Sequence, residues 1–253
     1  MTNHDDSLRE FWLLADAART QTAYLADERL KRLATVPLPV LRKIFVQYRY
    51  FTIFYITDLA LLVAKLPFGE LRSLLADFLN DELGNGDNEA AHERLYDNFL
   101  LSIGIPAEEL ALDANQENMR LLLDLQTRVV AGTAPYAVGL RGMGGECLCQ
   151  VYLAAMHAHF VDNPAIRALS DRVSWTFWDI HTGDVDIAHR EKLKASVETL
   201  VTSSPEQLDE LIKGYRDAKA IFDKFWENIY AEHFADLRSA PTTERAEPTQ
   251  ARA

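Results

Sequence analysis

Cysteine is scarce in this sequence. Cys147 and Cys149 are its two cysteines. A single residue separates them, and on a helix this spacing points their side chains to different faces. No secretory signal precedes them, and disulfides belong mainly to oxidising compartments. We therefore expect the protein to work in the cytoplasm.

Positive charge is also scarce, and no long apolar run is free of charge. The chain has 26 Lys and Arg against 38 Asp and Glu, a net charge of −12. That balance disfavours nonspecific binding to nucleic acid, which is dominated by cationic contacts to phosphate. The most apolar stretch, residues 44–68, carries Arg49, Asp58 and Lys65. Each of these charges near a bilayer centre would cost about 3 kcal/mol. We expect a buried core helix there and neither nucleic acid nor membrane as a partner.

The sequence also lacks the sustained alternation of strands and any internal repeat. From about Ser7 onward, apolar residues recur at intervals of three and four, which is typical of helices. With 253 residues, of which 48% are hydrophobic, the chain can bury one sizeable core. An all-α fold in a single domain is predicted, with helices over about 6–34, 40–66, 69–83, 88–104, 114–131, 134–160, 163–202 and 205–237.

The end of the chain differs in composition from the rest. After Arg238 it contains mainly Ser, Pro, Thr, Glu, Ala and Arg. Ordering such a segment would not be offset by burial of apolar surface. We therefore expect a helical domain over residues 1–238 and a disordered tail over residues 239–253.

Three clusters place acids and imidazoles inside otherwise apolar helices, where charge is costly unless it is paired or bound to metal. In the first, Glu82 and Glu89 are rival partners for His92. The Gly-Asn-Gly-Asp segment at 84–87 separates the two acids and favours a turn, and Asp87 or Asn88 can cap the next helix. Taken alone, His92 also fits an ordinary surface histidine.

The second cluster is a glycine-rich segment that ends at Glu146. Four of the seven residues at 139–145 are glycine. Because glycine costs about 1 kcal/mol relative to alanine inside a helix, this density indicates close approach of another backbone or a ligand. Arg141 precedes Glu146 by five residues and could clamp a substrate carboxylate through paired hydrogen bonds. An exposed Glu146 on a loop and a surface Arg141 are the alternatives.

The third cluster follows the Trp-Thr-Phe-Trp stretch at 175–178 and contains two histidines, His181 and His189. A regular α-helix would spread His181, Asp186 and His189 over too wide an arc for one metal pair. One inserted residue, accommodated as a π-bulge at 182–185, would bring them together. Asp184 in place of Asp186 is the competing assignment.

The order of these motifs resembles that of the haem-oxygenase-like diiron oxidases and oxygenases. The pattern of that family is a Glu several residues before a His, a lone Glu on a later helix, and then His-x-x-x-Asp-x-x-His. The resemblance extends over about residues 10–235 and departs from the pattern by one extra residue between His181 and Asp186. It implies a metal site made of Glu82 (or Glu89), His92, Glu146, His181, Asp186 and His189.

The resemblance also implies a fold, a cofactor and a class of reaction. The fold would be a haem-oxygenase-like bundle of about seven helices holding two Fe²⁺ ions per chain. Dioxygen would oxidise a small amine or amino-acid-like metabolite by N-oxygenation, desaturation or oxidative C–C cleavage in specialised metabolism. A homodimer and an external electron donor are both compatible with it. The alternatives are a cofactor-independent enzyme resembling thiaminases or quinone-cofactor synthases, and an iron-binding protein without catalysis.

Overall fold

The computed structural model describes residues 4–110, 115–182, 184–203 and 205–234. Within these ranges the structure does not describe the side chains of residues 4, 5, 7, 184–189, 201–203 and 205. Over these ranges the regular structure is helical, with no strand, which confirms the all-α prediction. The predicted tail at 239–253 lies outside the described residues.

The helices follow the sequence breaks closely. The second helix starts directly after Pro37 and stops before Pro67, since proline cannot supply the backbone N–H that a helix interior needs. In chain order the elements are α1 (His4–Leu30), α2 (Leu38–Lys65), α3 (Glu70–Glu82), α4 (His92–Ser102), α5 (Gln116–Ala131), α6 (Ala134–Ala137), a π-helix (Val138–Cys149), α7 (Gln150–Phe160), α8 (Pro164–Arg167), α9 (Thr176–Thr182), α10 (Asp184–Ser203) and α11 (Leu208–Phe234).

The single helix predicted over 163–202 is wrong. The chain forms α8 and a 3₁₀ turn (Ser170–Arg172) instead and becomes helical again at Thr176. Two tertiary contacts explain the interruptions. The buried amide of Asn163 donates to the carbonyl oxygens of Leu33 and Val36, and the backbone N–H of Ser174 donates to Oγ of Ser102. These bonds hold the segment in an irregular path that helical periodicity alone does not reveal.

Two apolar clusters form the core, and α2 and α11 contribute to both. One cluster contains Phe45 of α2 and Phe225 of α11, and the other contains Leu62 of α2 and Leu211 of α11. None of the described helices combines the length and the apolar composition that crossing a membrane requires. The apolar stretch at 44–68 is therefore mostly a core helix, α2.

The glycine-rich segment forms the π-helix, which packs directly against α11. A Cβ atom on Gly139 would overlap the carbonyl oxygen of Leu211, and one on Gly214 would overlap that of Tyr136. The expected close approach of another backbone is confirmed, and α11 supplies that backbone. The π-helical winding is a further finding, because the periodicity predicts a regular helix over 134–160.

Candidate metal centre

A tight turn brings the end of α3 to the start of α4. Glu82 is the last residue of α3 and His92 the first residue of α4. Between them Gly84 has φ +84°, and a Cβ atom there would meet the backbone N of Ala91 at 2.6 Å. Asp87 accepts a hydrogen bond from the backbone N–H of Glu89 and closes the turn. Local turn chemistry thus places Glu82 beside His92.

Glu82, His92 and His181 form a compact group of potential metal ligands. Nδ1 of His92 lies 3.0 Å from Oε2 of Glu82. The imidazole rings of His92 and His181 are 4.7 Å apart, centroid to centroid, at an angle of 76°. One ligand atom from each of the three residues lies within 4.8 Å of the others. Both histidines are buried.

The tautomer of His181 follows from its backbone contact. Nδ1 lies 2.7 Å from the carbonyl oxygen of Phe177, and because a carbonyl only accepts, Nδ1 must carry the proton. Nε2 is then the unprotonated nitrogen, which is the form that binds metal. Burial lowers the pKa of His181 to about 4, against the opposing effect of the Glu82 carboxylate. The side chain is therefore neutral near pH 7.

Glu146, on the π-helix, lines a cavity that Glu82, His92 and His181 also line. The hydroxyl group of Tyr55 donates a hydrogen bond to Oε1 of Glu146. Burial raises the pKa of Tyr55 well above its ordinary value, and the carboxylates of Glu146 and Glu82 raise it further. Tyr55 thus keeps its proton and remains a donor to Glu146.

The cavity lies where the two apolar clusters of the core meet. Its volume is about 40 Å³, which is room for a few water-sized groups. Aromatic and aliphatic side chains supply much of its wall, so the polar groups face a largely apolar space. The lining residues are Tyr48, Phe51, Thr52, Tyr55, Glu82, His92, Gly145, Glu146, Cys149, Gln150, Leu153, Phe177 and His181.

Glu89 lies away from this group. Its side chain is 72% exposed and pairs with Arg94 at 3.3 Å. Of the two rival partners for His92, Glu82 is the one that makes the contact.

Arg141 does not face the cavity, which corrects the expectation that it binds a substrate. Its guanidinium is fully buried and pairs with Asp58 at 3.0 Å, where both side chains are 0% exposed. It also lies over the rings of Phe51 and Tyr55, at 4.9 and 4.7 Å. A buried arginine needs such a counter-charge, so Arg141 supports the wall behind the cavity rather than binding a ligand in it.

The remaining predicted ligands, Asp186 and His189, have side chains outside the described residues, as does the competing Asp184. The described backbone is helical up to Thr182 and again from Asp184. Gly183, at the centre of the predicted π-bulge, also lies outside the described residues. The bulge remains a prediction.

The donor set fits iron. Two histidines and one carboxylate make up the ligand set of many non-haem Fe²⁺ oxygenases. Donor atoms bound to one ion at about 2.1 Å can be at most about 4.2 Å apart. The ligand atoms of Glu82, His92 and His181 lie within 4.8 Å of one another, so binding of one ion would draw them closer together. Glu82, His92 and His181 are thus arranged to hold one metal ion.

Sequence reasoning missed several cavity residues. Tyr48 and Tyr55 occupy helical positions on α2 that look like ordinary core positions, and nothing local marks them as facing a site. Cys149 lies 3.0 Å, sulfur to oxygen, from the hydroxyl group of Tyr48. The one signal in the sequence is the presence of hydroxyl groups on a helix otherwise rich in apolar residues, because a buried hydroxyl needs a partner.

The fold and the buried cluster define an all-α protein with a group of metal-type ligands in its core. A family of proteins described as iron-containing redox enzymes matches residues 42–222 of this chain. The chain belongs to this haem-oxygenase-like family, and the resemblance found in the sequence is confirmed. The sequence matches no curated protein.

Solved structures show the same fold at low sequence identity. A CADD-like protein of unknown function from Nostoc punctiforme has a TM-score of 0.70 and 16% identity, covering 90% of this chain and 97% of that one. A TenA homolog from Pseudomonas syringae pv. tomato has a TM-score of 0.67 and 13% identity, covering 87% of this chain and 92% of that one. A domain of unknown function with a heme oxygenase-like fold from Shewanella denitrificans has a TM-score of 0.63 and 14% identity, covering 95% of this chain and 97% of that one.

Proposed function

We propose that this chain is a non-haem diiron enzyme that uses dioxygen to oxidise a small amine or amino-acid-like metabolite. The observation that carries the proposal is the Glu82, His92 and His181 group, whose two histidines are buried and which shares one cavity with Glu146. Membership in a family of iron-containing redox enzymes supports iron as the metal.

The proposed ligands divide into two sets. Glu82, His92 and His181 form the set whose contacts are described above. Glu146, Asp186 and His189 complete the site in our proposal, giving two Fe²⁺ ions per chain with three protein ligands each. Coordination by so few protein groups leaves positions for dioxygen and substrate. Iron bound there supplies the activation of dioxygen.

The residues around the ligands have distinct roles in this proposal. The carbonyl oxygen of Phe177 holds the ring of His181 so that Nε2 is presented to the metal. Tyr55 orients the carboxylate of Glu146 through its hydroxyl group. Phe51 and Leu153, with the ring of Phe177, keep the wall apolar and limit the access of bulk water.

The proposed substrate class rests on the resemblance to the haem-oxygenase-like diiron oxidases and oxygenases. N-oxygenation, desaturation and oxidative C–C cleavage each fit a compact amine or amino acid. An external electron donor completes those reactions in which dioxygen is reduced beyond the two electrons that the substrate supplies.

The test is substrate-triggered oxygen uptake. Anaerobically iron-loaded protein is mixed with single amines and amino acids in an oxygen electrode, and products are followed by mass spectrometry. We expect at least one compound to accelerate oxygen consumption in proportion to bound iron. Uptake by no compound, despite stoichiometric iron binding, would indicate an iron-binding protein without catalysis.

A second candidate is a cofactor-independent enzyme of the thiaminase-like kind. Two observations favour it: the similarity in fold to a TenA homolog, and a thiol, Cys149, in the cavity beside the hydroxyl group of Tyr48. A thiol so placed can act as a nucleophile. This candidate predicts turnover that survives removal of iron and is lost in Cys149→Ser, whereas Cys147→Ala, outside this cavity, retains activity.

A further inference from the structure

A second, smaller cavity lies between α1, the π-helix, α10 and α11. It shares no lining residue with the metal cavity. Three cationic side chains line it, those of Arg19, Arg190 and Lys194, against a single acid, Asp16. The surplus of positive charge is local, since the net charge of the chain is −12.

Two hydrogen-bond donors on residues that line this cavity have no acceptor within the described part of the chain. They are Nε of Arg19 and Nε1 of Trp12, and both atoms are buried. A buried donor without an acceptor loses about 1–3 kcal/mol of solvation. An acceptor that enters the cavity would therefore recover this loss at two positions.

The cations are held in place by other contacts. Another guanidinium nitrogen of Arg19 donates to Oε1 of Gln150 at 2.8 Å, and Arg190 lies 3.4 Å from Asp16. The ammonium group of Lys194 lies 5.0 Å from the ring of Trp12. The two donors and the three charges are thus arranged around one space before any ligand enters.

We propose that this cavity binds the carboxylate group of a small organic acid. A carboxylate accepts from a guanidinium N–H and an indole N–H and balances the surplus of positive charge. The cavity volume of about 10 Å³ admits about one water-sized group. One carboxylate oxygen therefore enters it and the planar group leaves a single further oxygen at its edge, whereas a tetrahedral phosphate would have to place three oxygens there.

The carboxylate site lies next to the metal cavity but is separate from it. Gln150, which accepts the hydrogen bond from Arg19, lines the metal cavity. A carboxylate that binds Nε of Arg19 therefore contacts the same guanidinium that donates to Gln150. The site thus has a direct contact through which an acid can influence what the metal cavity binds.

In the test, formate and inorganic phosphate are titrated separately into the iron-free full chain at low ionic strength, and the heat of binding is measured by calorimetry. In iron-free protein formate and phosphate cannot bind to iron, so the result does not depend on the proposed diiron chemistry. We expect saturable binding of formate and much weaker binding of phosphate. Trp12→Phe keeps the ring but removes the donor, and Arg19→Gln removes the charge.

Each substitution should weaken formate binding by about tenfold or more, because each removes a hydrogen bond in which one partner is charged. Arg9→Gln is the matched control, since Arg9 lies on the exposed surface of the same helix. The absence of saturable formate binding would overturn the proposal and leave the cavity to water. Equal binding by all variants, or phosphate binding as tight as that of formate, would overturn it as well.

Discussion

Tyr55 donates a hydrogen bond from its hydroxyl group to Oε1 of Glu146. The ring of Tyr55 is held on both sides. The guanidinium of Arg141 lies 4.7 Å from its centroid, and a Cβ atom on Gly145 would overlap it. The buried pair of Arg141 and Asp58 therefore supports a tyrosine that in turn orients a proposed ligand. Residues outside the ligand set fix its geometry in this way.

Tyr55→Phe should weaken iron binding while leaving the fold intact. The phenyl ring still fills the space beside Gly145, but Glu146 loses the donor that orients it. Loss of such a contact typically lowers metal affinity or activity by about 10–100-fold. Anaerobic iron titration monitored by competition with a chelator measures the change. Tyr96→Phe is the control, because the hydroxyl group of Tyr96 donates to the backbone carbonyl of Phe45 rather than to a proposed ligand. Equal affinity in wild type and Tyr55→Phe would contradict this role.

Substitution of the proposed ligands should separate metal binding from folding. We expect His92→Ala and Glu146→Ala to abolish turnover with little change in helix content, and Glu82→Ala to reduce iron binding strongly. Glu89→Ala is the matched control, since Glu89 is exposed and pairs with Arg94. Circular dichroism and bound iron per chain are the two measurements. Retained oxygen consumption in both His92→Ala and Glu146→Ala would show that the site is misplaced.

The contact between the π-helix and α11 should tolerate no side chain at Gly139. A methyl group there would overlap the carbonyl oxygen of Leu211, so Gly139→Ala should lower the free energy of unfolding by about 3 kcal/mol. Gly142→Ala is the matched control in the same π-helix, because its nearest neighbour, Cδ2 of Leu62, would lie 3.6 Å away. Urea denaturation compares the two variants. Similar stabilities would contradict the close packing.

Acid should destabilise the iron-free protein through His181. Burial lowers the pKa of His181 from its ordinary value of 6.5 to about 4. The unfolded chain therefore binds more protons than the folded chain between these values, and stability is lost as the pH falls from 6.5 to 4. The full effect of His181 is roughly 3 kcal/mol. Urea denaturation at several pH values measures it. His181→Asn should flatten this part of the profile, and an unchanged profile would contradict the assignment.

The turn after α3 shows what local chemistry predicts well. The Gly-Asn-Gly-Asp segment at 84–87 indicates a break, which is present, and Asp87 caps a 3₁₀ turn (Asn88–Ala90) rather than α4. Glu82 and His92 then meet because the turn is short. The density of glycine at 139–145 likewise predicts a close contact, since glycine leaves room for another backbone.

Contacts between residues that are distant in the sequence cannot be predicted in the same way. Arg141 and Asp58 are far apart in the sequence, so an arginine near a candidate ligand looks available to a substrate. Tyr55 reaches Glu146 only after α2 packs against the π-helix. The close approach of Gly139 to Leu211 of α11 likewise joins residues far apart in the sequence. Each of these features depends on long-range packing, which hydrophobic periodicity along the chain does not predict.

The most direct test of the account is the number of ferrous ions that the protein binds. Iron-free protein is titrated with Fe²⁺ under anaerobic conditions, and bound iron is measured after removal of the excess. The proposed ligand sets predict saturation at about two ions per chain, with three protein groups for each. Saturation near one ion per chain would contradict the diiron centre and favour a mononuclear site at Glu82, His92 and His181.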